Sequence, residues 1–171
     1  MKNLFLTGKV GVGKSTILKN ALKEFDISVG GYITKRIFDG YYRKYTVKSL
    51  YDNKEEYTIV RVDSRDNSKE GFMSSFENGV VSILDKSFKH RDLIVLDELG
   101  CAENDMSIFT SKVFQLLNSN KIVFGILKDN NCKFLEDIKN RDDVIIIRIT
   151  EENRDYISEE VVDILESFIY Q

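Results

Sequence analysis

Residues 8–16 read GKVGVGKST directly after the apolar run NLFLT, and few stretches of this length restrict a fold so tightly. Gly8, Gly13, Lys14 and Ser15 meet the spacing glycine, four residues, glycine, lysine, serine. Such a loop needs a buried strand before it and a helix after it, because inward-pointing backbone N–H groups and the positive end of the helix must converge on the same phosphates. Both neighbours are predicted. Asn3 to Thr7 is short and mostly apolar, and from Ser15 to Phe25 the positions Ile17, Leu18, Ala21, Leu22 and Phe25 share one helical face. In this setting Lys14 reaches the β- and γ-phosphates, and Ser15 offers its hydroxyl to Mg²⁺. Lys9, Val10, Gly11, Val12 and Thr16 complete the expected phosphate-contacting loop, with Gly11 letting the backbone pass close to the phosphate chain.

The rest of the chain alternates strand and helix. β-Branched and aromatic residues dominate from Gly31 to Val62, and Asp39-Gly40 supplies a two-residue hairpin turn, so Tyr32–Phe38, Tyr41–Leu50 and Tyr57–Val62 are predicted to form an antiparallel meander. Its outer face is expected to carry Lys35, Arg36, Arg43, Lys44 and Lys48, either as a solvated strand face or as a surface that approaches a substrate or a nucleic-acid backbone. Asp63 to Phe76 is polar and weakly patterned, which predicts a mobile surface loop. A helix from about Asn78 to Phe88, the strand Leu93–Leu96, and a helix carrying Met106, Phe109, Val113 and Leu116 follow. Then come the strand Ile122–Leu127, a short helix near Phe134–Lys139, the strand Val144–Ile149, and a closing helix with Ile157, Val161, Ile164 and Phe168 on one side. Apolar strands separated by amphipathic helices imply an α/β fold with a mainly parallel central sheet covered on both faces. The 171 residues, without repeats or Gly/Ser-rich linkers, predict a single domain over 1–171 with the meander inserted at about 31–62.

A second element adds chemistry. DLIVLDELG carries four apolar residues, Leu93 to Leu96, up to Asp97 at the carboxyl end of a strand, where ligands of open parallel sheets bind. A carboxylate there holds magnesium, so Ser15 and Asp97 are the expected metal residues. The alternative for Asp97 is a helix or turn cap. Adjacent Glu98 is either a base that orients and deprotonates a water for attack on the γ-phosphate, or a solvated surface acid. Glu103, Asn153 and Arg154 are candidates for the same edge but read equally as ordinary surface. His90, the only histidine, reads as a surface residue at a helix end.

Composition narrows the partners. With a net charge of -3 and 42% apolar residues, the chain lacks the basic excess of a nucleic-acid binder. The apolar run near the start is too short for a signal-peptide core, and no segment is long enough to span a bilayer. Cys101 and Cys132, far apart and without CxxC spacing, are expected as reduced thiols, with Cys101 a small packing residue. A cytoplasmic monomer is the expectation.

GKVGVGKST near the N-terminus, then GGYIT, LIVLDELGCAE and the late ITEENRD, in this order, resemble the THEP1-type nucleoside-triphosphatase family across most of the chain. The resemblance implies a RecA-like P-loop NTPase fold, a three-layer sandwich, and Mg²⁺-dependent hydrolysis of ATP, GTP and other nucleoside triphosphates with broad base tolerance. It also implies a second nucleotide-proximal segment formed by Leu96, Asp97, Glu98, Leu99, Gly100, Cys101, Ala102 and Glu103, with Lys14 and Glu98 as catalytic residues. The family commonly has a lysine where Cys101 stands, an acid where Lys35 stands, and a glycine-rich pattern within 63–76. Two other fates of the nucleotide share the same loop: transfer of the phosphoryl group to a small acceptor by a kinase, for which 128–141 offers only one arginine to a lid, and a slow nucleotide-dependent switch.

Overall fold

Strands buried on both faces need near-continuous apolar sequence, and helices that cover them need one apolar stripe. The computed structural model, which describes residues 2–170, places both kinds of segment accordingly. Its eight strands are β1 (Asn3–Thr7), β2 (Val29–Asp39), β3 (Tyr42–Ser49), β4 (Glu56–Asp63), β5 (Lys69–Gly71), β6 (Leu93–Leu99), β7 (Ile122–Leu127) and β8 (Val144–Arg148). They form one sheet in the order β5-β4-β3-β2-β6-β7-β1-β8. Pairing is parallel from β2 through β6, β7 and β1 to β8, and antiparallel from β2 through β3 and β4 to β5.

The helices are α1 (Lys14–Lys23), α2 (Met73–His90), α3 (Ser107–Leu117), α4 (Lys133–Lys139) and α5 (Ile157–Ile169), with a 3-10 turn at Cys101–Glu103. Period-two alternation of the strands divides the core into two layers. Leu4 and Leu6 of β1 pack with Ile17 and Leu18 of α1 and Val161 and Leu165 of α5. Phe5 points the other way, into the layer of Phe76 and Ile83 of α2, Phe109 of α3 and Leu135 of α4. The outcome is the expected three-layer α/β sandwich.

The expected antiparallel meander is present, and two other expectations change. The meander is continuous with the parallel sheet: β2 pairs with β6 from Val29↔Leu93 to Ile33↔Asp97, then runs on into its hairpin with β3. The basic residues of the meander do not share one face. Arg36 lies opposite Tyr45, whereas Lys35 lies opposite Thr46 and Lys44 opposite Ile37, so Arg36 and Arg43 belong to one face and Lys35, Lys44 and Lys48 to the other. The segment 63–76 is largely built structure. The Asp63 carboxylate accepts the Arg65 backbone N–H at 2.9 Å and its guanidinium at 2.6 Å, β5 follows, and α2 already begins at Met73. A three-residue strand has no legible period, and Phe76 is the only buried side chain described in the first turn of α2.

Candidate active site

β1 ends at buried Thr7, and the chain turns at once because the Ile149 carbonyl blocks the alternative. A Cβ on Gly8 would stand 2.3 Å from the Ile149 oxygen, and Gly8 has φ +135°. Val12 tucks into the core while Val10 points into solvent. Gly13, at φ 113°, caps α1, and its carbonyl accepts the N–H groups of Thr16 and Ile17 at 3.0 Å each. The Lys14 ammonium donates to the carbonyls of Gly8 at 2.7 Å and Lys9 at 2.8 Å, curling over the loop. Burial pulls its pKa down, against the charges of Glu98, Asp129 and Asp97. The cavity here measures about 310 Å³ and is lined by loop residues between Val10 and Thr16 and by Glu98.

β6 brings the acids to this loop. Asp97, 3% exposed, stands with Oδ1 accepting the Ser15 hydroxyl at 3.4 Å and with Oδ2 buried and unpartnered. Burial, then the charge of Glu98, pushes its carboxyl up to about 6. The Thr34 hydroxyl of β2 donates to the Asp97 carbonyl at 2.7 Å and accepts the Glu98 N–H at 3.2 Å, so this strand end is held from the side. The Glu98 carboxylate then meets the Lys128 ammonium at 3.2 Å.

The other expected residues divide in two. Leu96 and Leu99 are fully buried in the layer of α2, α3 and α4, so only their backbone is available to a ligand. Glu103 is buried, not surface: its Oε2 accepts the Gly100 N–H at 2.9 Å, and burial raises its pKa against the pull of Lys128. Ala102, with Glu98 and Glu103, lines a larger neighbouring cavity. Asn153 holds its own turn, accepting from Thr150 N–H and donating to the Arg148 carbonyl, and Arg154 stands 3.8 Å from Asp155. His90 ends α2 beside Tyr51, as expected.

The cysteines depart from expectation. Cys101 and Cys132 form a disulfide, with Cα atoms 5.8 Å apart. β6 and β7 are neighbours, so the segments leaving their carboxyl ends meet; sequence spacing carries no trace of that adjacency. Reduction of this bond, which closes a 31-residue separation, is expected to lower the unfolding free energy by about 3–4 kcal/mol, read as a lower urea midpoint with dithiothreitol. An unchanged midpoint would mean that the segment after β6 is held by its packing alone.

Sequence reading missed Thr34 and Lys128. Lys128 had a signal: it is the first residue past an apolar strand, the position at which Asp97 and Glu98 were found one strand away. Among the described residues no group of three or more His, Cys, Asp or Glu side chains is placed to hold a metal by itself.

The sequence matches the model of the NTPase family over residues 3–162. The chain belongs to this NTPase family. It is 30% identical over 166 residues to the nucleoside-triphosphatase THEP1 of Thermotoga maritima, covering 95% of this chain and 94% of that protein. It is 31% identical over 167 residues to the nucleoside-triphosphatase THEP1 of Methanocaldococcus jannaschii, covering 94% and 95%. The crystal structure of THEP1 from Aquifex aeolicus superposes with a TM-score of 0.78 at 21% identity, over 97% of this chain and 99% of that one. The P-loop fold and nucleoside-triphosphate hydrolysis are therefore those of the family, and the substrate is a nucleoside triphosphate. Among the described residues no helix is long and apolar enough to cross a membrane.

Proposed function

We propose that this NTPase hydrolyses its substrate with Mg²⁺ between the loop Gly8–Thr16 and the acids Asp97 and Glu98, with little regard for the base. The carrying observation is that Asp97 Oδ1 meets the Ser15 hydroxyl while Glu98 lines the same cavity as the phosphate loop. The donor set fits the ion: a hydroxyl and a buried carboxylate with one oxygen left unpartnered are hard oxygen ligands. Ser15 and Asp97 would hold Mg²⁺ there, and the ion would supply positive charge to offset that of the phosphates.

The chain's own residues do the rest. The N–H groups of the loop and the start of α1 orient the phosphates. Lys14 leaves the loop carbonyls for the β- and γ-phosphates. Glu98, steadied by Lys128 and Thr34, accepts a proton as water attacks the γ-phosphorus; the bond to the bridging oxygen breaks, and its electron pair stays on the diphosphate.

The cleft lined by Lys9, Val12 and residues 148–152 supports the reading of broad base tolerance. Arg148, Glu151 and Glu152 are solvent-exposed there, and Thr150 is engaged with Asn153, so no buried, unpaired polar group discriminates one base edge from another. This reading makes the protein a single domain that works as a monomer on free nucleotides, without nucleic acid. Phosphate release from Mg-ATP, Mg-GTP, Mg-CTP and Mg-UTP is expected to agree within about tenfold in kcat/KM, and to vanish with EDTA. Release that persists in EDTA, or that is confined to one base, would overturn it.

A further inference from the structure

Beside the phosphate cleft lies a second cavity of about 680 Å³, between the meander, α2 and the 3-10 turn. Water needs no such space, which is of the size that holds drug-sized ligands. Glu98 lines both cavities. The second one also carries polar groups that the fold leaves unsatisfied. Tyr32 is 1% exposed and its hydroxyl has no partner; the Nε of Arg43 is buried and equally without one. Both residues line the cavity. Buried donors of this kind are costly to leave unmade.

The strand order gives the cavity a direction. Glu98 of β6 and Thr34 of β2 lie at one end. Val47 of β3, Ile59 of β4 and Phe76 of α2 supply an apolar stretch, and Arg43 stands four residues along β3 from Val47, in a row across the strands with Val62 of β4 and Lys69 of β5. Arg43 lies two strands across and four residues along from the row of Thr34 and Glu98, a backbone separation of roughly 16 Å, into which the two long side chains and a ring-sized body fit. Among the described residues neither Arg43 nor Lys69 pairs with a carboxylate; Arg43 has only a 3.5 Å contact to Asn67.

We propose that this cavity binds a hydroxyl-bearing organic anion as a second substrate, and that the γ-phosphoryl group is transferred to its hydroxyl. The inference rests on the assignment of Glu98 to the γ-phosphate. Arg43 and Lys69 hold the anionic group, the apolar stretch covers the body, and the hydroxyl stands at Glu98. Its oxygen attacks the γ-phosphorus and its proton passes to the Glu98 carboxylate. The bond from the γ-phosphorus to the bridging oxygen breaks, and the electron pair remains on the nucleoside diphosphate. The products are that diphosphate and a phosphomonoester. Water takes the same place at Glu98 in hydrolysis.

The test incubates the protein with Mg²⁺ and γ-³²P-labelled ATP, alone and with two probes. One is a set of nucleoside 3′-monophosphates, which combine a ring, a free 5′-hydroxyl and a dianion; the other is a deproteinised small-molecule cell extract. A labelled phosphomonoester distinct from inorganic phosphate is expected with at least one probe. Arg43→Gln is expected to raise the KM for that acceptor by about tenfold or more, with kcat changed far less. Lys69→Gln, on the exposed edge strand, gives the same readout if Arg43→Gln melts early. Label found only in inorganic phosphate with both probes overturns the acceptor site while leaving hydrolysis intact. Transfer indifferent to both substitutions overturns it as well. No phosphate release from ATP alone, together with no labelled ester from either probe, overturns the hydrolytic reading and this inference together.

Discussion

Glu98→Gln is expected to slow phosphate release from Mg-ATP by about 10²–10⁴-fold while nucleotide still binds. The amide keeps the size of the side chain, and the backbone N–H that Thr34 accepts is untouched. What disappears is the carboxylate that, in the proposed mechanism, takes the proton from the attacking water. The loop from Gly8 to Thr16, to which the same mechanism assigns the phosphate contacts, is not altered, so a fluorescent ATP analogue should bind within about threefold of wild type. Single-turnover release separates the two quantities. Unchanged turnover would remove Glu98 from the mechanism. Glu103 is a poor stand-in, because it is buried and its carboxylate is committed to the Gly100 N–H.

The difference between Glu98 and Lys128 shows what the sequence made legible. Glu98 was found because Asp97 ends an apolar run, and a carboxyl-terminal strand end is a ligand position whatever the rest of the sheet does. Lys128 is the first residue past the apolar strand β7, but its relevance depends on β7 lying next to β6. Strand order is a non-local property, and it equally hid the Cys101–Cys132 bond. The phosphate loop was legible for the opposite reason: all its constraints lie within nine residues, between one strand and the helix that follows. The helices α3 and α5 were readable from their apolar stripes, whereas the first turn of α2 was not. Arg43 illustrates a further limit. A residue's face follows from period two only once the hairpin register is known, and a register slip of one moves every side chain across the sheet. The cavity behind Glu98 follows from that register, and no local pattern announces it.

Asp97→Asn is expected to remove Mg²⁺-dependent turnover and, at the same time, to stabilise the nucleotide-free protein. Burial beside Glu98 raises the Asp97 carboxyl from 3.8 to about 6. The folded state therefore binds this proton more tightly than the unfolded state does. Raising the pH from about 4 to about 6 removes stability, and above about 6 the whole cost is present, on the order of 2–3 kcal/mol. Asparagine does not ionise and retains an oxygen to accept the Ser15 hydroxyl, so the variant escapes that cost. Without Mg²⁺ or nucleotide at pH 8 it should melt about 4–8 °C above wild type, and the gap should close as the pH falls below about 4. With Mg-ATP the order reverses, because only the carboxylate gives the ion an anionic ligand and so gains stability from its binding. Melting curves at pH 4 and pH 8, with and without Mg-ATP, resolve both effects. A variant that melts below wild type at pH 8 in the absence of ligand would mean that Lys14 and Lys19, whose charges act on Asp97 in the opposite sense, already offset its burial, and that the position is built for stability as much as for the metal.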